Sequence, residues 1–180
     1  MSDPIAPPSA RSPAEVVTLV SLAISDGDLD AALAQYEPGA VLEPWARGAP
    51  AATQSLASSL AQLMELRLPL AATVCDVLAS SEVAASAEAL ASTGPITDPG
   101  LIAGAGLIAG AGLAANAGLA GCPVALVLAD RRIAGTGPDC QPVDLRGFGA
   151  TAARRQRDGS WRIAADAWRL ATAVGAQPAP

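Results

Sequence analysis

The segment that most constrains the fold runs from Ala14 to Trp45, where two stretches with helical apolar spacing are followed by a chain break and a short apolar run. Apolar residues recur every three or four positions between Val16 and Ile24, which predicts an amphipathic helix. The sequence Ser-Asp-Gly-Asp at 25–28 ends that helix, and its second aspartate is placed to cap another helix over 29–36. The chain is therefore expected to begin with two consecutive helices.

A break and a strand follow the second helix. Glu37-Pro38-Gly39 stops it, because proline cannot continue the helical hydrogen bonds and glycine permits a positive φ, and residues 40–44 are strand-like. A third helix is predicted over 51–66, with its leucines on one side. Alternating apolar residues then predict strands at 70–78, 124–135, 143–154 and 161–170. Helices first and mostly antiparallel strands afterwards indicate the α+β class.

Both ends of the chain carry a family resemblance. The chain resembles the nuclear transport factor 2-like superfamily, which includes ketosteroid isomerases and polyketide cyclases. The resemblance rests on GDLDAAL between the first two helices, AVLEP after them, three long C-terminal strands and the Asp158-Gly159 hairpin signal. The resemblance implies a cone-shaped barrel, in which a curved, mostly antiparallel sheet wraps around three N-terminal helices and leaves a cavity. It also implies a pocket for a small apolar molecule and a homodimer. Function itself has to be argued from the site.

The length of the chain sets the expected domain organisation. A chain of 180 residues and 17.8 kDa can bury one core and is short for two domains. We expect a single domain at 13–173 between disordered tails at 1–12 and 174–180, interrupted by a Gly/Ala/Leu-rich insertion at 84–122. The N-terminal residues lack the apolar core of a secretory signal, so the predicted location is the cytoplasm.

The insertion contains a repeat with a period of six residues. Between Gly100 and Gly121, a glycine followed by a leucine recurs at 100, 106, 112 and 118. A membrane-spanning helix would need more strongly apolar side chains than the six leucines and isoleucines of this segment, so no membrane partner is expected. A hexapeptide β-solenoid would need more hexads, because stacked coils bury one another. The favoured interpretation of the three is a duplicated insertion between two strands of the sheet.

The charges and cysteines argue against several classes of function. Residues 1–98 hold twelve acidic and three basic side chains, whereas residues 99–180 hold five acidic and eight basic side chains. The formal net charge of the chain is −6. Because no strong positive footprint is present, a nucleic-acid partner is not expected. Three separated cysteines without any histidine disfavour a zinc site and a disulfide framework, and no metal or cofactor is predicted.

Glu43 is the first candidate catalytic residue. Without histidine, acid–base chemistry falls to carboxylates, cysteine or tyrosine. In the ketosteroid isomerase branch, a carboxylate directly before a proline at the end of the first strand abstracts a proton next to a ketone, and VLEP at 41–44 matches that placement. The sequence departs from the isomerases at the oxyanion hole, because the position of their helical tyrosine falls near Val20. Steroid isomerisation is therefore disfavoured.

Asp130, Arg132 and Asp166 form a second candidate constellation. Asp130 and Arg132 share one face of a strand by a period of two, and Asp166 lies on a strand that is expected to approach them. This set resembles the limonene epoxide hydrolase branch, in which one acid activates water and another protonates the epoxide oxygen. Asp166 is thus the second candidate base, and a structural ion pair is the alternative.

The predicted pocket brings these candidates together with the few aromatic residues. Its lining is predicted to comprise Val20, Tyr36, Trp45, Asp130, Arg132, Phe148 and Trp168. The favoured function is the binding of a small apolar molecule without catalysis. The alternative is an isomerase, cyclase or epoxide hydrolase that acts on a polyketide-, steroid- or terpene-like substrate with a carboxylate as general base. Catalysis would require Glu43 and Asp166 to face one closed, apolar cavity.

Overall fold

A computed structural model of the chain describes residues 8–43, 55–79 and 122–172. Within these ranges the chain forms three helices and five strands. Their order is α1 (Pro13–Asp26), α2 (Leu29–Ala34), β1 (Tyr36–Glu43), α3 (Leu56–Glu65), β2 (Leu70–Ala79), β3 (Val124–Thr136), β4 (Pro142–Arg155) and β5 (Trp161–Thr172).

Short polar side chains start each helix where the sequence leads us to expect it. The side chains of Ser12, Asp28 and Ser55 each accept a hydrogen bond from a backbone N–H in the first turn of α1, α2 and α3, respectively. Gly27 ends α1 in the left-handed conformation at φ 72°, which glycine adopts without steric penalty. These local signals account for the predicted pair of N-terminal helices.

The five strands form one open, mixed sheet in the order β1-β5-β4-β3-β2. The three pairs from β2 to β5 are antiparallel, and β1 lies parallel to β5. Register shifts within the β2–β3 and β4–β5 pairs mark irregularities of the kind that bend a sheet. The helix α1 packs across β2, β3, β4 and β5. The predicted α+β class, with a curved and mostly antiparallel sheet around N-terminal helices, is confirmed.

The boundary between α2 and β1 differs from the prediction. Tyr36, expected as the last residue of the second helix, begins β1 and pairs with Ile163 of β5. The backbone N–H of Ile163 also donates to the carbonyl oxygen of Gln35, the C-terminal cap of α2. Pro38 and Gly39 lie inside β1, in the stretch where its register with β5 shifts, and do not separate a helix from a strand. Pairing with a strand that is distant in sequence overrides the local break signal.

The core lies between α1 and the face of the sheet that it covers, which we call the inner face; the opposite face is the outer face. Along β3 every second residue from Ala125 to Ile133 is buried. Four of these five positions carry apolar side chains that contribute to the core. The fifth is Arg131, which introduces a charge into the interior.

Three predictions on domain organisation lie wholly or mostly outside the described residues. The tails at 1–12 and 174–180 and the insertion at 84–122 overlap the described ranges only at 8–12 and at Cys122. The strands that flank the insertion are neighbours, because Ala79 of β2 pairs with Ala125 of β3. The structure therefore places the two flanking strands side by side. That the repeat is an insertion between them stays a prediction.

Candidate functional site

A polar network lies buried on the inner face, where three strands bring charged and hydroxyl groups together. Thr151 of β4 and Asp166 of β5 are direct partners in the antiparallel register, so their side chains project to the same side. Arg131 reaches them from β3, and Tyr36 reaches them from the start of β1. Arg131 is 2% exposed and Asp166 is 1% exposed, so this network is separated from bulk water.

Asp166 is the centre of the network and accepts three hydrogen bonds. Its Oδ1 accepts one from Thr151 Oγ1 at 2.6 Å and one from Arg131 Nη2 at 3.3 Å. Its Oδ2 accepts one from the Tyr36 hydroxyl at 3.1 Å. Arg131 Nη2 also donates to Thr151 Oγ1 at 3.0 Å, which closes a ring of contacts around the ion pair. A buried ion pair needs such additional hydrogen bonds to offset the loss of solvation.

Glycines in β4 provide the space through which Arg131 reaches Asp166. Gly147 is the cross-strand partner of Arg131, and Gly149 is the cross-strand partner of Trp168. A Cβ atom at Gly149 would lie 2.4 Å from Arg131 Nε and 3.1 Å from its Cδ, so the arginine side chain runs directly over this residue. A larger residue at Gly149 would displace the guanidinium group from its partners.

The indole ring of Trp168 supports the other side of the guanidinium group. Arg131 Cζ lies 3.9 Å from the centroid of the ring, a cation–π contact from which water is excluded because Trp168 is 1% exposed. In the described part of the chain, Arg131 Nε, Arg131 Nη1 and Trp168 Nε1 have no hydrogen-bond partner. Three buried donor atoms on two stacked side chains therefore have no acceptor among the described residues.

Burial and the charge of Asp166 keep the hydroxyl of Tyr36 protonated. Burial raises the pKa of Tyr36 well above its usual value, and the charge of Asp166 acts in the same direction. Tyr36 therefore stays a neutral donor to Asp166 at physiological pH. Three of the roughly four lone-pair directions of Asp166 are occupied, and the carboxylate holds Arg131, Tyr36 and Thr151 in place.

A second buried ion pair joins β1 to β4 next to this network. Arg154 Nη1 donates to Glu37 Oε2 at 3.0 Å, and Gln156 Nε2 donates to Glu37 Oε1 at 2.7 Å. Because Glu37 follows Tyr36 in the chain, these contacts fix the start of β1 and with it the position of the tyrosine hydroxyl.

Comparison with solved structures identifies the architecture. A ketosteroid isomerase-like protein from Erwinia carotovora atroseptica SCRI1043 matches with a TM-score of 0.52 and 14% identity, over 88% of this chain and 93% of that chain. A candidate aromatic ring hydroxylase from Novosphingobium aromaticivorans matches with a TM-score of 0.50 and 12% identity, over 88% and 89%. The chain has the nuclear transport factor 2-like fold. No protein-family model matches the sequence, and no curated protein matches it significantly.

Within this nuclear transport factor 2-like fold, the predicted constellation of Asp130, Arg132 and Asp166 does not form. Asp130 and Arg132 share a face as expected, but it is the outer face, and both are exposed. Arg132 donates two hydrogen bonds to Asp144, at 2.9 and 3.1 Å. The arginine that binds Asp166 is the neighbouring Arg131. The prediction was wrong by one residue, which in a strand exchanges the two faces.

The other predicted pocket residues divide between the two faces of the sheet. Phe148 is wrong as a pocket residue, because it pairs with Asp130 in the register and shares the outer face. Val20 and Tyr36 are buried in the main hydrophobic cluster together with Trp168. Trp45 lies outside the described residues.

Glu43 occupies the last position of β1, and its side chain lies outside the described part of the structure. Its backbone pairs with Ala167, whereas Asp166 pairs with Leu42. Its proposed role as a base stays a prediction.

Sequence reasoning missed Arg131, although two signals indicate it. Arg131 continues the period of two set by the apolar inner-face residues of β3, and the neighbouring strand carries glycine at two alternate positions, Gly147 and Gly149. A charged residue in an apolar alternation beside small residues is typical of a buried long side chain. Thr151, the direct partner of Asp166, was missed as a member of the site as well.

Two further observations describe the accessible surface and the chemistry of the described residues. An open depression of about 620 Å³ lies at the ends of α1 and α3, lined by groups that include Ile24, Asp26 and Met64, and is separate from the buried network. No group of three histidine, cysteine or acidic residues in the described ranges is arranged to hold a metal ion. None of the helices described is both long and apolar enough to cross a membrane.

Proposed function

We propose that the protein binds a small, largely apolar molecule through hydrogen-bond acceptor atoms that meet Arg131 and Trp168. The observation that carries this proposal is the set of three buried N–H groups, Arg131 Nε, Arg131 Nη1 and Trp168 Nε1, without partners in the described part of the chain. A buried donor that loses its hydrogen bond to water costs about 1–3 kcal/mol. Acceptors on a bound molecule would recover this free energy.

The distribution of satisfied and unsatisfied groups supports the proposal. Nη2 of the same guanidinium group donates to both Asp166 and Thr151. The guanidinium group that carries two of the unpartnered donors stacks on the ring of Trp168, which carries the third. An aromatic wall with a few fixed donors is typical of a site for an apolar molecule that carries a polar group.

The enzymatic alternative, an isomerase, cyclase or epoxide hydrolase, requires a carboxylate that is free to accept a proton. Asp166 already accepts hydrogen bonds from Tyr36, Arg131 and Thr151. For this reason we propose binding without acid–base catalysis by Asp166. Residence in the cytoplasm and assembly as a homodimer stay predictions, and size-exclusion chromatography with light scattering would test the second.

The test compares two tryptophan variants that undergo the same chemical change. Trp168→Phe keeps an aromatic ring beneath Arg131 and removes the Nε1 donor, whereas Trp161→Phe makes the same change at the start of β5. Isothermal titration with a panel of apolar ketones, esters and alcohols is the measurement. We expect Trp168→Phe to weaken binding by roughly two- to tenfold, the value of one hydrogen bond, and Trp161→Phe to leave it unchanged.

Two results would contradict the proposal. One is that no compound of the panel binds the wild-type protein. The other is that both tryptophan variants bind as tightly as the wild type, since the indole donor then makes no contact with the ligand.

A further inference from the structure

We propose that copies of this chain associate head to tail, with a hairpin of one copy seated in the open depression of the next copy. The hairpin is the turn between β4 and β5 with its flanking residues, 154–162, and the depression is the one at the ends of α1 and α3. This inference is independent of the proposed ligand and involves other residues. It follows from unpaired charges of opposite sign that the fold places at the two ends of α1.

The hairpin at 154–162 carries more positive than negative charge, and we call it the basic hairpin. Its charged residues are Arg154, Arg155, Arg157, Asp158 and Arg162. Arg154 is buried and paired with Glu37. In the part of the chain that the structure describes, the other three arginines form no ion pair. Two of them, Arg155 and Arg157, are exposed.

The carboxylate of Asp158 is engaged by the turn and does not pair with these arginines. Its Oδ1 accepts hydrogen bonds from the backbone N–H of Ser160 at 2.9 Å and from the hydroxyl of Ser160 at 2.6 Å. These hydrogen bonds lower the pKa of Asp158. Arg162 lies directly opposite Arg154 in the antiparallel register, where like charges repel each other. Carboxylates from another molecule would reduce this repulsion.

The other end of α1 carries more negative than positive charge, and we call it the acidic end. Its charged residues are Asp26, Asp28, Asp30, Glu65 and Arg67. Asp26 is the last residue of α1 and Glu65 is the last residue of α3, and neither helix has a basic residue in its last turn. A carboxylate is unfavourable there, because the C-terminus is the negative end of the helix dipole. Within the described ranges none of the four carboxylates forms an ion pair, so a cation from another molecule would stabilise both helix ends.

The two ends are too far apart to neutralise each other within one molecule. Ala10, just before α1, pairs with Trp161 at the basic hairpin, whereas the hydroxyl of Ser25 accepts a hydrogen bond from the backbone N–H of Leu70 at 2.9 Å. Because α1 has 14 residues, it separates the two ends by about 20 Å. Exposed charges are largely screened beyond about 8 Å at physiological ionic strength. A second copy can instead bring a basic hairpin into contact with an acidic end.

The depression suits arginine side chains in its chemistry and its size. Ile24, Leu29 and Met64 supply apolar surface for the methylene groups of an arginine. Asp26 and Glu65 can accept hydrogen bonds from its guanidinium group. The volume of about 620 Å³ is within the range of sites that enclose small ligands. The chain thus carries both halves of a complementary contact, and its net charge of −6 disfavours a nucleic acid as the partner of the basic hairpin.

The proposed contact is heterologous, because the two surfaces that meet are different. Each copy that is added leaves one basic hairpin and one acidic end free, so the assembly grows with protein concentration. Exposed ion pairs are individually weak, and we therefore expect a Kd on the order of 0.1–1 mM at low salt.

Sedimentation velocity of the full-length protein measures this association. We expect the weight-average mass to increase between about 20 µM and about 1 mM protein at about 20 mM NaCl, and the increase to disappear at about 500 mM NaCl, where the charges are screened. A short DNA duplex, titrated at the lower salt concentration by fluorescence anisotropy, tests a nucleic acid as the alternative partner.

Two variants each remove the charge of one surface at nearly constant shape. Arg155→Gln/Arg157→Gln acts on the basic hairpin, and Asp26→Asn/Glu65→Gln acts on the acidic end. We expect neither variant to associate alone. An equimolar mixture of the two should associate, because each variant still carries the surface that the other lacks.

A control variant and the mixture decide between the outcomes. Arg132→Gln/Arg146→Gln removes two exposed arginines from the outer face, and we expect it to associate as the wild type does. The inference is overturned if the mass of the wild type does not depend on concentration and salt, if both charge variants associate normally, or if their mixture does not associate. DNA binding that requires Arg155 and Arg157, without self-association, overturns it in favour of a nucleic-acid partner. The proposed small-molecule binding stands or falls separately from all of these results.

Discussion

Replacing Gly149 by alanine tests the geometry of the buried network most simply, because it adds one methyl group at a known place. The new Cβ would lie 2.4 Å from Arg131 Nε, whereas ordinary van der Waals contact begins near 3.4 Å. The guanidinium group must therefore move by about 1 Å. Its Nη2 atom already lies 3.3 Å from Asp166 Oδ1, so a displacement of that size breaks the ion pair.

The size of the effect follows from one favourable and two unfavourable contributions. The buried methyl group contributes up to about 0.8 kcal/mol of favourable burial. Overpacking costs about 1–3 kcal/mol, and the loss of a hydrogen bond to a charged group costs about 1.5–3 kcal/mol. We therefore expect Gly149→Ala to lower the free energy of unfolding by about 2–4 kcal/mol and the melting temperature by roughly 5–15 °C.

Urea denaturation measures the stability, and fluorescence of Trp168 reports the position of Arg131. The emission is best read in a background in which Trp45 and Trp161 are replaced by phenylalanine, since the chain has three tryptophans. Gly39→Ala is the matched control, because φ is 81° there and nothing lies within 4 Å of the added Cβ. It should cost about 1 kcal/mol through backbone strain and leave the Trp168 emission unchanged. Wild-type stability and emission in Gly149→Ala would refute the placement of Arg131.

The remaining predictions concern the end of α3 and the outer face of the sheet. Arg67→Gly should raise the free energy of unfolding measured in urea by about 0.5–1 kcal/mol. Arg67 follows α3 in the left-handed conformation at φ 51°, which glycine adopts without strain. A lower free energy of unfolding would mean that the arginine side chain makes a necessary contact. Asp144→Asn should reduce stability at neutral pH, and the difference from wild type should vanish between pH 4 and pH 2. The reason is that hydrogen bonds from Arg132 and Arg146 lower the pKa of Asp144 from 3.8 to about 2 in the folded state, so its contribution is present above pH 3.8 and is lost as the pH falls toward 2. A difference that is constant down to pH 2 would contradict this assignment.

Local signals in the sequence predicted the helices and strands well, and pairing between distant strands decided the rest. Ser12, Asp28 and Gly27 start or end helices because they act on neighbouring backbone groups, which can be recognised from sequence alone. Tyr36 was assigned to a helix because Pro38 and Gly39 follow it, yet it pairs with Ile163, more than a hundred residues away. The free energy of that pairing cannot be inferred from the residues around Tyr36.

The candidate site was predicted in part for the same reason. Asp166, Tyr36 and Trp168 were recognised as candidates from their residue types, and all three belong to the buried network. Their arginine partner was not, because choosing between Arg131 and Arg132 requires the register of β3, β4 and β5. Arg132 lies on the outer face, whereas its neighbour Arg131 forms a buried ion pair with Asp166.

The most direct test of the central claim is an NMR titration of the two donor groups. In ¹H–¹⁵N spectra, the signals of the Trp168 indole N–H and of the Arg131 Nε–H are followed while the tightest-binding compound of the panel of apolar ketones, esters and alcohols is added. We expect both signals to shift downfield and to exchange more slowly with water, because each donor gains an acceptor. Saturable binding of the compound that leaves both signals in place would contradict the claim that these donors hold the ligand.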